Sequence, residues 1–251
     1  MLFLRSLLFN IIGYSTLAIG CIVTSVIGLF SRRATVLLWT YFFLPFLKIA
    51  LKWIAGITIE IRGKQYIQAG PSVYASKHES ALETYIMSTF VKHLAFVLKK
   101  ELTYIPIFGW AQAFYGMIAV DRSGGSAAMK GMLKSAQKRI AEGRSVIVFP
   151  EGTRVKPGTT GVYKPGLLFL AQNLRVPVVP VALNTGLFWA KKSFLRYSGK
   201  IIIEFMEPMP EGLDKKEFMS LLQNRIETKC QALNAETVKM YPKTRVNLSK
   251  E

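Results

Sequence analysis

Residues that bind metals or form cross-links are what this chain has least of. Its 251 residues include two Cys and two His. Cys21 and Cys230 stand near opposite ends, and Cys21 lies in a lipid-like run, so no disulfide is expected. A zinc site would need both pairs at once. Neither His78/His93 nor Cys21/Cys230 has ligand spacing, so metal ligation is set aside. His78-Glu79 opens no zinc-protease motif, because the position that would carry the second His is Leu82. Acidic residues are also few: 15 Asp plus Glu face 33 Lys plus Arg, for a net charge of +18. Internal repeats and low-complexity linkers are absent. With 51% hydrophobic residues, the composition excludes a disordered basic tail, a collagen-like chain and a disulfide scaffold. The length fits one main domain plus an attachment.

Such a charge implies an anionic partner: nucleic acid, a membrane surface or an acidic ligand. Nucleic-acid binders interleave aromatic and basic residues on exposed faces. Here many aromatics gather in apolar stretches, as in Trp39, Tyr41, Phe42, Phe43 and Phe46. That favours an anionic lipid surface and argues against nucleic acid.

Two apolar stretches open the chain. From Ser6 to Ser31 there are 26 positions without a charge. A helix of about 20 residues crosses the hydrocarbon core of a bilayer, so this segment is long enough. A cleaved signal would have an apolar stretch of about 7–15 residues ending in small residues. This one is longer and ends at Leu29-Phe30-Ser31-Arg32-Arg33, which favours an anchor. Ala34–Leu47 is shorter, and Pro45, Lys48 and Lys52 are expected to break it into an interfacial or re-entrant helix. Arg32 and Arg33 outnumber Arg5, so the chain beyond the first helix is expected on the cytosolic side of the inner (cytoplasmic) membrane. The expected division is 1–55, membrane-anchoring helices, and 56–251, a domain facing the cytosol. Basic clusters at Lys191-Lys192 and Arg196 are expected to add salt-sensitive contacts with head groups.

Beyond Gly56, short apolar runs alternate with Gly, Pro and charged residues. Strands are predicted at 57–62, 72–76, 94–98, 117–120, 145–149, 177–183 and 200–205. Helical periodicity falls between several of them, at 79–91, 126–142 and 164–173, and a late amphipathic helix spans 214–235. The alternation implies an α/β domain: a mostly parallel central sheet flanked by helices, preceded by a hydrophobic N-terminal two-helix membrane motif. In such domains reactive groups collect on loops at the carboxyl ends of strands.

Several of those loops carry residues able to do chemistry. After 72–76, His78 stands at the strand–helix junction with Glu83 five positions on. On one continuous helix such a pair is about 140° apart. With His78 just ahead of the helix and Glu83 in its first turns, the side chains converge. The carboxylate then fixes the imidazole tautomer and stabilises the imidazolium, as in a catalytic triad without its nucleophile. After 117–120, Asp121-Arg122-Ser123-Gly124-Gly125-Ser126 opens a helix and offers an Arg to an anion, with Ser126 equally suited to cap that helix. After 145–149, Glu151-Gly152-Thr153-Arg154 sets two charges beside a Gly that permits a sharp turn. Val176–Asn184 is an apolar strand between prolines, expected to form one wall of a pocket and more often core than site. Taken singly, each piece also fits an ordinary turn, helix face or core strand.

The combination is more specific: His78-x4-Glu83, Asp121-Arg122, Phe149-Pro150-Glu151-Gly152-Thr153-Arg154 and Val176–Val181, with Phe96–Leu102 and Ile105–Trp110 beside them. In this order and spacing they resemble the glycerolipid acyltransferase family, most closely its bacterial 1-acyl-glycerol-3-phosphate acyltransferases. The resemblance covers about residues 70–185. The family's first motif usually ends in Asp. Glu83 is one methylene longer, and its role survives if the helix start shifts.

The resemblance implies transfer of an acyl chain from a thioester to the sn-2 hydroxyl of lysophosphatidic acid, giving phosphatidic acid in phospholipid biosynthesis. His78 would be the base and Glu83 its partner. Lys99, Arg122 and Arg154 would hold the acceptor's phosphate, and Glu151 would bond the glycerol or position Arg154. Gly152 and Thr153 complete the substrate-binding turn. No metal or redox cofactor is implied. The donor, acyl-CoA or acyl carrier protein, is a cosubstrate, and either is acidic enough to suit a basic surface. Two other readings stay open: acyl transfer to another lyso-lipid, and a non-enzymatic, membrane-anchored protein that binds anionic lipid.

Overall fold

A computed structural model describes residues 1–91 and 93–249. The chain opens with two helices, α1 (Leu2–Gly28) and α2 (Arg32–Ala55), each long and apolar enough, by length and composition, to cross a membrane. The second corrects the expectation of a short broken segment, because it runs through Pro45, Lys48 and Lys52. A proline inside a helix lacks an N–H and crowds the turn before it. Here the turn Trp39–Phe43 widens to π-helical spacing, with the Leu44 N–H reaching back to the Trp39 carbonyl, and the helix continues. The two lysines do not break it because their charged ends lie over aromatic faces, Lys48 Nζ 5.2 Å from the Phe90 ring centre and Lys52 Nζ 5.1 Å from that of Trp53.

Both helices are packed onto the rest of the chain. Trp39 Nε1 donates to Thr24 Oγ1 at 2.6 Å and ties them together. Arg5 Nε donates to the Ile54 carbonyl at 3.0 Å. Phe9, 2% exposed, belongs to the same core cluster as Tyr74, Ile147 and Phe205.

Seven strands among the described residues form one sheet. They are β1 (Ile57–Arg62), β2 (Val73–Ser76), β3 (Ala95–Lys99), β4 (Ile118–Val120), β5 (Val146–Val148), β6 (Val178–Leu183) and β7 (Gly199–Phe205), in the order β1-β7-β6-β2-β5-β3-β4. Only the β6–β7 pair is antiparallel. Between the strands and after them come α3 (Leu82–Phe90), α4 (Phe108–Tyr115), α5 (Gly125–Ala141), α6 (Gly166–Leu174), α7 (Thr185–Phe188) and α8 (Lys215–Met240).

Successive side chains of a strand face opposite sides, so central β2 feeds two cores. Tyr74 packs with Phe9, Leu51, Ile86 and Met87 on the side of α1, α2 and α3. Val73 and Ala75 pack with Met132, Leu170, Ile226 and Leu233 on the side of α5, α6 and α8. The α8 face that sequence periodicity marks as apolar is therefore spent on the domain. This helix starts sharply because Asp214 Oδ1 accepts the Lys216 and Glu217 N–H groups while Glu217 returns a bond to the Asp214 N–H, a capping arrangement that contributes about 1 kcal/mol.

Helix α4 has no counterpart in the sequence reading. Gly109 weakens its helical signal, yet a Cβ there would come within 2.0 Å of the Thr103 carbonyl, so the close turn excludes any side chain.

Candidate active site

The loops leaving parallel strands β2, β3, β4 and β5 meet at one end of the sheet, where ligands of open α/β sheets bind. They bring His78, Lys99, Arg122, Gly152, Thr153 and Arg154 onto the wall of one cavity of about 410 Å³. The two remaining candidates, Glu83 and Glu151, stand behind that wall.

His78 is held on three sides. Its Nδ1 lies 2.8 Å from Glu83 Oε1. Its ring stacks on Phe149 at 3.9 Å with 16° between planes. Its main chain is clamped too, the N–H donating to Glu151 Oε2 at 2.9 Å and the carbonyl accepting the Val155 N–H at 2.8 Å. Glu83 Oε1 already accepts the Glu79 and Ser80 N–H groups at 2.7 and 2.8 Å, and Oε2 accepts Thr185 Oγ1 at 2.8 Å. An oxygen used this way acts as an acceptor toward Nδ1 as well, which assigns the imidazole proton to Nδ1 and leaves the Nε2 lone pair free. The ring is 16% exposed and lines the cavity.

This convergence explains why α3 begins at Leu82 rather than near Glu79. Residues 78–81 curl so that two backbone N–H groups point at Glu83, and that curl accommodates the longer carboxylate.

The Phe149–Arg154 turn supplies the next pieces. Gly152 has φ +67°, a conformation L side chains rarely adopt. Glu151 was expected at the glycerol or beside Arg154. Instead it is buried and turned inward, its Oε1 2.6 Å from Lys77 Nζ and its Oε2 on the His78 N–H. Burial pushes its carboxyl up to about 7, against the pull of the Lys77 ammonium. Arg154 remains on the wall, its carbonyl accepting Lys191 Nζ at 2.8 Å.

Lys99 ends β3 and pairs with Glu101 at 2.8 Å. Arg122 follows β4 in a turn where Asp121 Oδ1 accepts the Ser123 N–H and hydroxyl. The helix after it is capped by Gly124, so Ser126 caps nothing. Two further expectations change. All six residues of β6 are buried in the sheet and none lines the cavity; its apolar wall includes Leu17, Trp39 and Leu44 from α1 and α2. Arg196 is 2% exposed, 4.1 Å over the Trp189 ring and bonded to the Ser193 and Leu195 carbonyls, so it forms no surface cluster.

The sequence reading missed Thr185, which orients Glu83, and Phe149 as the platform under His78. Thr185 had a signal, being the second polar residue after the β6 strand. Lys77, adjacent to His78, had only its place in the motif.

The arrangement is an imidazole set by a carboxylate, beside cations in a largely apolar hollow, and such an imidazole is able to accept a proton. The chain belongs to the acyltransferase family: the family model, described as Acyltransferase, matches residues 58–184, half of the chain. It is 43% identical over 148 residues to the 1-acyl-sn-glycerol-3-phosphate acyltransferase of Pseudomonas aeruginosa, covering 59% of this chain and 58% of that protein. The enzyme of that name from Cocos nucifera is 30% identical over 63% of this chain and 52% of its own length. Its alpha form from Ovis aries is 32% identical over 70% and 62%. The matches thus span little more than half the length of these relatives. A crystal structure of the 1-acyl-sn-glycerophosphate (LPA) acyltransferase PlsC from Thermotoga maritima superimposes with a TM-score of 0.75 at 22% identity, over 94% of this chain and 98% of that one, and shares its fold.

Proposed function

We propose that this chain is a 1-acyl-glycerol-3-phosphate acyltransferase: it moves an acyl group from a thioester to the sn-2 hydroxyl of lysophosphatidic acid, forming phosphatidic acid for phospholipid synthesis. The observation that carries the reading is the sharing of one cavity by His78, with Nε2 free, and by Lys99, Arg122 and Arg154. A secondary alcohol attacks poorly unless a base removes its proton, and imidazole, with an ordinary pKa of about 6.5, suits that task near neutrality. In the step proposed, the hydroxyl oxygen bonds to the thioester carbonyl carbon as its proton passes to His78 Nε2. The carbon–sulfur bond then breaks and the proton leaves with the thiol. Glu83 stabilises the imidazolium meanwhile. No covalent acyl-enzyme and no metal are needed.

The three cations suit a phosphate monoester, Arg by its bidentate fork. The apolar wall suits acyl chains, and a smaller apolar hollow lined by Phe9, Leu47, Leu51 and Trp189 adjoins it through shared residues Leu17, Ala81 and Tyr85. The donor is acyl-CoA or acyl carrier protein. The apolar helices and the charge of +18 support attachment to the cytoplasmic membrane with the site on the cytosolic side.

The test is thiol release from acyl-CoA and from acyl carrier protein by the full chain in detergent or vesicles. Release that requires lysophosphatidic acid and yields phosphatidic acid is expected. Release driven equally by other lyso-lipids points to a different acceptor, and binding of anionic lipid without release points to a non-enzymatic role.

A further inference from the structure

Behind His78 lies a buried ionic cluster that the reaction does not use. Lys77 and Glu151 side chains are each 1% exposed, and the Glu227 side chain 11%. Lys77 Nζ lies 2.6 Å from Glu151 Oε1, 2.7 and 2.8 Å from the two Glu227 oxygens, and 3.0 Å from the Thr159 carbonyl. Its three donors serve the two Glu227 oxygens and the Thr159 carbonyl, and Glu151 is held as an ion pair. Tyr163 adds its hydroxyl to Glu227 Oε1 at 3.0 Å. The far oxygen of Glu151 accepts the His78 N–H. A continuous polar path therefore runs from α8, through Lys77 and Glu151, to the backbone of His78. Helix α8 lies beyond residues 58–184, so the family match does not reach Glu227.

Stability alone does not account for this cluster. Taking three charges out of water costs several kcal/mol per ion, and apolar residues of similar size are often as stable or more so in such places. Buried polar networks rigidify what they hold, and the Lys77 ammonium is held here by two carboxylates and a carbonyl. The geometry fixed here is that of one residue, His78, whose N–H and carbonyl are both tied to the Phe149–Arg154 turn and its continuation.

We propose that Lys77 and Glu227 are positioning residues for His78, acting through Glu151: α8 sets where the His78 main chain sits, and with it the direction of Nε2. This rests on reading His78 as the base. It assigns a role in turnover to a helix that lines no part of the cavity. A misplacement of about 1 Å costs about 100-fold in rate, so the effect belongs in kcat rather than in substrate binding.

The experiment compares kcat and acceptor KM, with thermal unfolding, for the full chain and for Glu227→Gln, Glu227→Asp and the apolar pair Lys77→Met/Glu227→Leu. The pair is expected to stay folded, at a lower unfolding temperature because buried Glu151 loses its cation, to lose about 10–100-fold in kcat, and to keep its acceptor KM within about twofold. Glu227→Asp is expected to recover part of the rate lost in Glu227→Gln. A folded pair with wild-type kcat overturns the proposal, as does a loss confined to KM. If the pair does not fold, a folded Glu227→Gln chain at wild-type kcat overturns it too. His78→Ala separates the two readings: activity in that variant removes the base assignment, whereas its inactivity beside a fully active apolar pair removes only the role of α8.

Discussion

The two halves of the cavity are built differently. The half around His78 and Glu83 is firmly held: His78 by ring, side chain and main chain, buried Glu83 by two N–H groups and a hydroxyl. The cationic half is loosely held. Lys99 and Arg122 are exposed and Arg154 half-buried, and Lys99 pairs with a Glu101 that is itself exposed. A base must be placed within a few tenths of an ångström of its proton, whereas a phosphate is attracted over several ångströms and accepts long, adjustable cations. The contrast predicts that damage to the buried half appears in kcat and damage to the rim in acceptor KM.

The largest break is His78→Ala, expected to cut turnover by about 10²–10⁴-fold while the chain stays folded. His93→Ala should keep wild-type turnover, since His93 lines no part of the cavity. Reversal of that pair in a thiol-release assay moves the base elsewhere. Next comes Glu83. Glu83→Gln should lose more kcat than Glu83→Asp, because charge matters more than length in supporting an imidazolium. Equal losses would reduce Glu83 to packing. On the rim, Arg154→Ala and Arg122→Ala should each raise acceptor KM about tenfold with kcat nearly unchanged, and Arg154→Lys should recover part of it. A rise in donor KM instead would give these residues to the carrier's phosphates.

A smaller effect is expected in stability against pH. Glu151 titrates at about 7 in the folded chain, above the ordinary 4.5. A raised carboxyl favours the folded state fully below its unfolded pKa, and that contribution is lost as pH rises through the folded value. The Tm of the wild type should therefore fall more than that of Glu151→Gln between about pH 5 and pH 8. Parallel curves would mean that Glu151 is ionised throughout. Smallest of all, a high-salt wash should release almost none of the intact chain from membranes, because apolar burial is not screened as surface charge is. Release into the supernatant would contradict anchoring by α1 and α2.

Most of this architecture is legible in the sequence because strands and turns are local. Every predicted strand is present with ends within one residue, and the His78–Glu83 contact follows from a strand–helix junction. What escapes is set by side-chain contacts that local hydrophobic periodicity does not encode. Lys48 and Lys52 read as helix breakers until Phe90 and Trp53 offer their faces. Arg196 reads as a surface charge until Trp189 lies beneath it. Glu151 reads as a substrate ligand because its neighbours Gly152 and Arg154 face the cavity, and only Lys77 and the His78 N–H show that it faces inward. Glu227 could not be linked to Lys77, 150 residues away, by any local pattern.

The proposed function turns on one cavity that joins His78, as the proposed base, to cations suited to a phosphate monoester. The most direct measurement is acceptor-dependent thiol release by the full chain with 1-acyl-glycerol-3-phosphate and with the monoacylglycerol of the same chain length. Rapid release is expected with the phosphate-bearing acceptor, little with the other, and a narrowed gap in Arg154→Ala. Equal release with both acceptors, unchanged by Arg154→Ala, would contradict it.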